Sequence, residues 1–128
     1  MQIQMTRFVG KYILKNIADC NFDSQTNPLT PILKNFIDFV DSEFPEVRYE
    51  FSLQLTKVCS KMLQLIQPNI TVFNLLFTDK SQDVRKASLL GSFDILLKNP
   101  KSEVSFLLLK LILSNLLDKK VSISFKTF

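Results

Sequence analysis

Residue types able to do chemistry are sparse in this sequence. The best acid–base candidates are Asp41 and Glu43, two carboxylates that could in principle act as a general acid and its base. They fall in Asp41-Ser42-Glu43-Phe44-Pro45, which reads as a turn, and nothing in the sequence organises a cleft around them. Cys20 and Cys59 form no CxxC pair and no disulfide framework. No secretory signal pattern opens the chain, so both read as reduced thiols in or near a core. The chain has no histidine, which removes Ser-His-Asp and Cys-His nucleophile systems and every zinc site needing imidazole. Gly10 and Gly91 stand alone, so there is no glycine-rich loop to cradle a phosphate. Asn69-Ile70-Thr71 matches the glycosylation sequon but carries little weight in a chain expected inside the cell. No catalytic, cofactor-binding or metal-binding residue is assigned, and the chain is not expected to be an enzyme.

The elements that would position such residues are helical. At 128 residues and 46% hydrophobic composition the chain can bury a core, and two glycines are too few for a fold rich in tight β-turns. Phe8, Tyr12, Ile13 and Ile17 recur at helical spacing in the first segment. Leu29, Ile32, Leu33, Phe36, Ile37 and Val40 form a wide apolar stripe, and Thr30-Pro31 supplies a helix start. Helices are then predicted over Pro45 to Met62, Ile70 to Phe77, Val84 to Leu97 and Val104 to Leu117, with a last start at Val121. About seven helices and no strands result. Val121-Ser122-Ile123-Ser124-Phe125 alternates like a strand, but its place in the pattern favours helix. The breaks carry turn chemistry, as at Gln67-Pro68-Asn69, Asp79-Lys80-Ser81 and Asn99-Pro100, and Asn21 to Pro28 reads as a polar loop. The twelve phenylalanines are assigned to the core. Met62 to Thr78 lacks charge, but Gln64, Gln67, Pro68 and Asn69 exclude a membrane span.

The arginines reveal a repeat. There are three, Arg7, Arg48 and Arg85, each following a β-branched residue and opening a helical segment. Val47 and Val84 lie 37 residues apart, and the same interval reaches Val121. A turn aspartate precedes each valine: Asp41, Asp79 and Asp118. An apolar helix, an Asp-containing turn, Val-Arg and a second helix make a hairpin that cannot cover both of its apolar faces alone, so neighbours must stack. The sequence therefore predicts an all-α fold, an α-solenoid or armadillo-like superhelix of antiparallel helical hairpins. The expected boundaries are a partial repeat over about 4–20, repeats over about 28–63 and 68–98, and a last repeat over about 100–128 with its second helix truncated. That is about three and a half repeats, beginning inside one unit and ending inside another.

On Pro31, Asp41, Asp79, Val47-Arg48 and Val84-Arg85, the chain resembles the HEAT-repeat family over nearly its whole length. Leu29-Thr30-Pro31-Ile32-Leu33 and Asp41-Ser42-Glu43-Phe44-Pro45-Glu46-Val47-Arg48 are most similar to the phrasing of the phosphatase 2A scaffold (A) subunits within that family. The resemblance implies a structural ladder in which Asp41 or Asp79 pairs with Arg48 or Arg85. In the third unit Ser122 stands in place of the arginine. It also implies a scaffold whose turns hold phosphatase catalytic and regulatory subunits, with Phe44, Glu46, Lys80 and Gln82 as candidate partner-binding residues. A HEAT adaptor of another class, a transport receptor or chromatin-associated protein, is the alternative. The expected location is the cytoplasm, with the nucleus also open. The net charge of +4 comes entirely from residues 65–128 but forms no cluster, so nucleic acid is not expected as a partner. No small-molecule substrate is expected either.

Overall fold

Proline and short polar breaks set the helix boundaries. The computed structural model describes residues 2–16 and 29–116, which form six α-helices and no strand. These are α1 (Gln2–Asn16), α2 (Leu29–Ile37), α3 (Pro45–Lys61), α4 (Ile70–Phe77), α5 (Gln82–Lys98) and α6 (Glu103–Leu116). Pro45 opens α3 at its first position, where a missing N–H costs nothing, after the extended residue Phe44. Pro31 falls within the first turn of α2, where N–H groups likewise lack intrahelical partners. The stripe expected to run to Val40 as one helix tightens into a 3-10 turn over Asp38–Asp41. Pro68 produces no open loop; it sits in the second of two 3-10 turns, Leu63–Leu65 and Gln67–Asn69. The expected end of the first helix after Asn16, the loop at Asn21 to Pro28, Cys20, Asp118 and the Val121–Phe125 segment lie outside the described residues.

The helices form two rows. In one, α3 lies between α1 and α5; in the other, α4 lies between the Asp38–Asp41 turn and α6. Large apolar side chains fill the space between the rows. Phe36, Phe51, Phe73, Phe77, Ile66, Leu76, Ile95, Leu108 and Ile112 are buried there. The Phe36 and Phe51 rings meet edge-on at 4.9 Å between centroids, a favourable aromatic arrangement. Not every phenylalanine is core, however. Phe8, Phe44, Phe93 and Phe106 are exposed, Phe8 and Phe106 by about two thirds (68% and 66%). Tyr12 is exposed too, while Ile13 one residue on is fully buried. A helix in a row has two neighbours at most, so its outer face stays open whatever residue it carries.

Within the row of α1, α3 and α5 the contacts are made by small and polar residues. Thr6, Ser52, Thr56, Ser88 and Ser92 are buried. The hydroxyls of Ser52 and Thr56 donate to carbonyls one turn earlier in α3, and those of Ser88 and Ser92 do the same in α5. Each hydroxyl is thereby satisfied without a partner across the interface, so it can be buried at little cost. Both described glycines sit on this row. A Cβ on Gly10 would meet the Gln54 Cβ at 2.7 Å, and one on Gly91 would meet the Thr56 Cβ at 2.6 Å. Glycine in a helix interior costs about 1 kcal/mol against alanine. Here the close approach of α1 and α5 to α3 requires it.

Candidate functional site

The turn before α5 is organised by Asp79. Its carboxylate accepts two hydrogen bonds from the Arg48 guanidinium of α3, Nε to Oδ2 at 2.8 Å and Nη2 to Oδ1 at 3.1 Å. Oδ1 also accepts the Ser81 backbone N–H at 2.9 Å, closing the turn that starts α5. The Asp79 backbone carbonyl accepts a hydrogen bond from Arg85 Nη1. The Arg48 and Asp79 side chains are largely buried, with 14% and 8% of their surface exposed, and the fork geometry suits a carboxylate. This pair ties the middle of the row to the turn joining α4 and α5.

The preceding turn has the same frame with one change. Arg48 Nη1 donates to the Ser42 carbonyl at 2.8 Å, and the Phe44 N–H donates to the Ser42 hydroxyl at 3.2 Å. Ser42 thus holds the place before α3 that Asp79 holds before α5, and the two are 37 residues apart. Helices α3 and α5 begin and end at this same interval. Asp41 is one residue off the register, is exposed, and has no ion pair or side-chain hydrogen bond with the described residues. Asp41 therefore does not occupy the aspartate position of this frame; a serine does. Arg7 is engaged elsewhere: its Nε donates to Glu50 Oε1 of α3 at 2.9 Å. That hydrogen bond, reinforced by one from Gln54 Nε2, holds the Glu50 carboxyl below its usual range despite burial. The same contact raises the Arg7 guanidinium further.

The four candidate partner-binding residues do not converge on one spot. Lys80 lines a cleft of about 790 Å³ along the turns, together with Asp41, Glu43, Leu75 and Thr78. Phe44 and Gln82 are exposed at the starts of α3 and α5 and line neither this cleft nor the larger groove. Glu46 faces that larger groove, about 1050 Å³, which runs between α3 and α5. This groove was not anticipated from the sequence, because no local signal says that α3 and α5 lie side by side. Asp41 and Glu43 both border the turn cleft.

Cys59 is fully buried, and desolvation pushes its thiol up to about 12, so it packs as an apolar group rather than as a nucleophile. No group of His, Cys, Asp and Glu among the described residues could hold a metal ion, and no described helix is long and apolar enough to cross a membrane. The chain matches no protein-family model, no curated protein and no solved structure.

Proposed function

We propose that this chain is a non-catalytic protein-binding scaffold, built as an α-solenoid of HEAT-type hairpins of which about three and a half are present. The observation that carries this reading is the recurrence of one frame at 37 residues. Helices α3 and α5, their arginines Arg48 and Arg85, and the carbonyls of Ser42 and Asp79 repeat in register, and Arg48 of one hairpin grips Asp79 of the next. Such a stack has an extended surface and works by binding other macromolecules.

Within that class, the particular reading is a scaffold subunit of a protein phosphatase 2A-type assembly, holding catalytic and regulatory subunits along its turns. It is supported by the resemblance of residues 29–33 and 41–48 and by the open turn cleft around Lys80. The test is co-purification of the tagged chain with purified phosphatase catalytic and regulatory subunits. Co-elution that weakens in Lys80→Glu supports the reading. Absence of co-elution, with nuclear-transport or chromatin proteins recovered from extract instead, overturns it in favour of an adaptor of that other class.

A further inference from the structure

Helix α1 lies along α3 as closely as α5 does, yet it is anchored differently. Among its described residues Thr6, Gly10 and Ile13 are buried, and Ile13 is the one large apolar side chain of the three. Val9 and Leu14 are half-buried beside it. The larger apolar groups of α1, Met5, Phe8 and Tyr12, are exposed and fall on the side of the helix away from Gly10. By contrast α5 buries Val84, Ala87 and Ile95 and packs on α4 and α6 as well as on α3, whereas α1 has α2 as its other main neighbour. The seam between α1 and α3 is also polar and incompletely matched. Glu50 and Gln54 of α3 are buried in it, and the Gln54 amide donates to Glu50 through Nε2. Gln54 Oε1 accepts no hydrogen bond from the described residues. Docking α1 shields that acceptor from water without supplying a donor, which opposes docking. Gly10, which lets α1 approach Gln54, also weakens the helix that carries it. A helix of 15 residues is marginal on its own in water, so the contact with α3 decides whether α1 is formed.

From this contrast we propose that α1 is a detachable helix, which undocks from α3 and unfolds as a unit while α3 to α6 stay folded, with the Arg7–Glu50 contact as its catch. Release uncovers the side of α3 that bears Glu50 and Gln54, so α1 acts as a removable cover on that helix. The catch is reachable: half of the Arg7 side-chain surface is exposed, while Glu50 beneath it is buried. Water therefore competes for the guanidinium before any of the core opens. The uncovered side is polar as well, and hydrating Glu50 and Gln54 offsets part of what is lost when Ile13 leaves. The same step at α5 would bare Val84 and Ile95 and the apolar layer on α4 and α6, with no polar group of that kind to hydrate. The two ends of the row thus differ in how they open. Undocking of α1 is independent of which protein the turns hold.

The test is amide hydrogen exchange read by mass spectrometry on the full chain. Relative to their intrinsic rates, the amides of Val9 to Leu14 are expected to exchange about 100-fold faster than those of Phe51 to Val58. Arg7→Ala removes the catch but keeps a strong helix former in place. It is expected to speed exchange in α1 about fivefold and to change α5 and α6 by less than about twofold. Phe8→Ser, on the outward side, is expected to leave α1 exchange within about twofold of the parent chain. Circular dichroism confirms that each variant keeps its helix content. Equal protection in α1 and α3 overturns the proposal, because the row then opens only as a whole. So does an acceleration by Arg7→Ala that spreads equally through α5 and α6. An effect of Phe8→Ser as large as that of Arg7→Ala also overturns it, because the outward stripe and not the polar seam then holds α1.

Discussion

The two rows of helices solve the packing problem in opposite ways. The second row and the space beneath it are filled by Phe36, Phe73, Phe77, Leu108 and Ile112, side chains whose area removed from water supplies most of the stabilisation. The row of α1, α3 and α5 instead meets through glycines, serines and threonines, with Arg7–Glu50 as a polar contact. Large residues hold the rows together, and small ones set how closely the long helices lie. The second job sets the spacing of α3 and α5 and with it the groove between them.

That contrast can be broken at several points. The largest effect belongs to the apolar layer: Phe73→Ala, at a fully buried ring packed on Phe77, is expected to cost about 3–5 kcal/mol, read as a fall in the urea midpoint. A loss under about 1 kcal/mol would mean that the layer is loosely packed. Next is the clamp between rows. Arg48→Ala leaves the Asp79 carboxylate buried without its guanidinium and is expected to cost about 3 kcal/mol. Arg85→Ala removes one hydrogen bond to a carbonyl and should cost about 1 kcal/mol. Equal melting shifts for the two would show that Asp79 does not distinguish them.

The small-residue row gives a change of sign. Helix propensity alone favours Gly91→Ala by up to about 1 kcal/mol. The clash with Thr56 instead predicts destabilisation of about 1–3 kcal/mol. A higher melting temperature for Gly91→Ala would mean that α3 and α5 are not in tight contact. The smallest effect is on acid stability. Glu50 has a folded pKa below its unfolded value of about 4.3, so its stabilisation is present above that pH and is lost as the pH falls through the folded value. Glu50→Gln should therefore flatten the stability profile as the pH falls below about 5, followed by circular dichroism, and leave its shape near neutrality unchanged. An unchanged acid limb would place Glu50 and Arg7 apart.

Much of the helix layout is legible residue by residue. Pro45, the apolar run Ile70–Phe77 and the turn at Asp79-Lys80-Ser81 mark boundaries that local chemistry decides on its own. The Phe8 and Phe106 assignments failed for a physical reason. Periodicity identifies a face, but only the presence of a neighbour decides whether that face is buried. Asp41 failed for a different one: two acids beside a turn look alike in sequence, whereas the backbone frame selects one residue in each turn, and before α3 that residue is Ser42. The groove residues were all visible, but nothing local says that α3 and α5 lie side by side.

What the sequence determined by itself was the helical class, the breaks and the 37-residue interval, because capping, proline and apolar spacing act within a few residues. What only the tertiary structure decided was the pairing: Arg48 with Asp79, Arg7 with Glu50, Gly91 against Thr56, and Glu46 facing a groove rather than the turns. Those contacts depend on which helices become neighbours. That choice is made by the burial of the whole apolar layer together and by no segment alone.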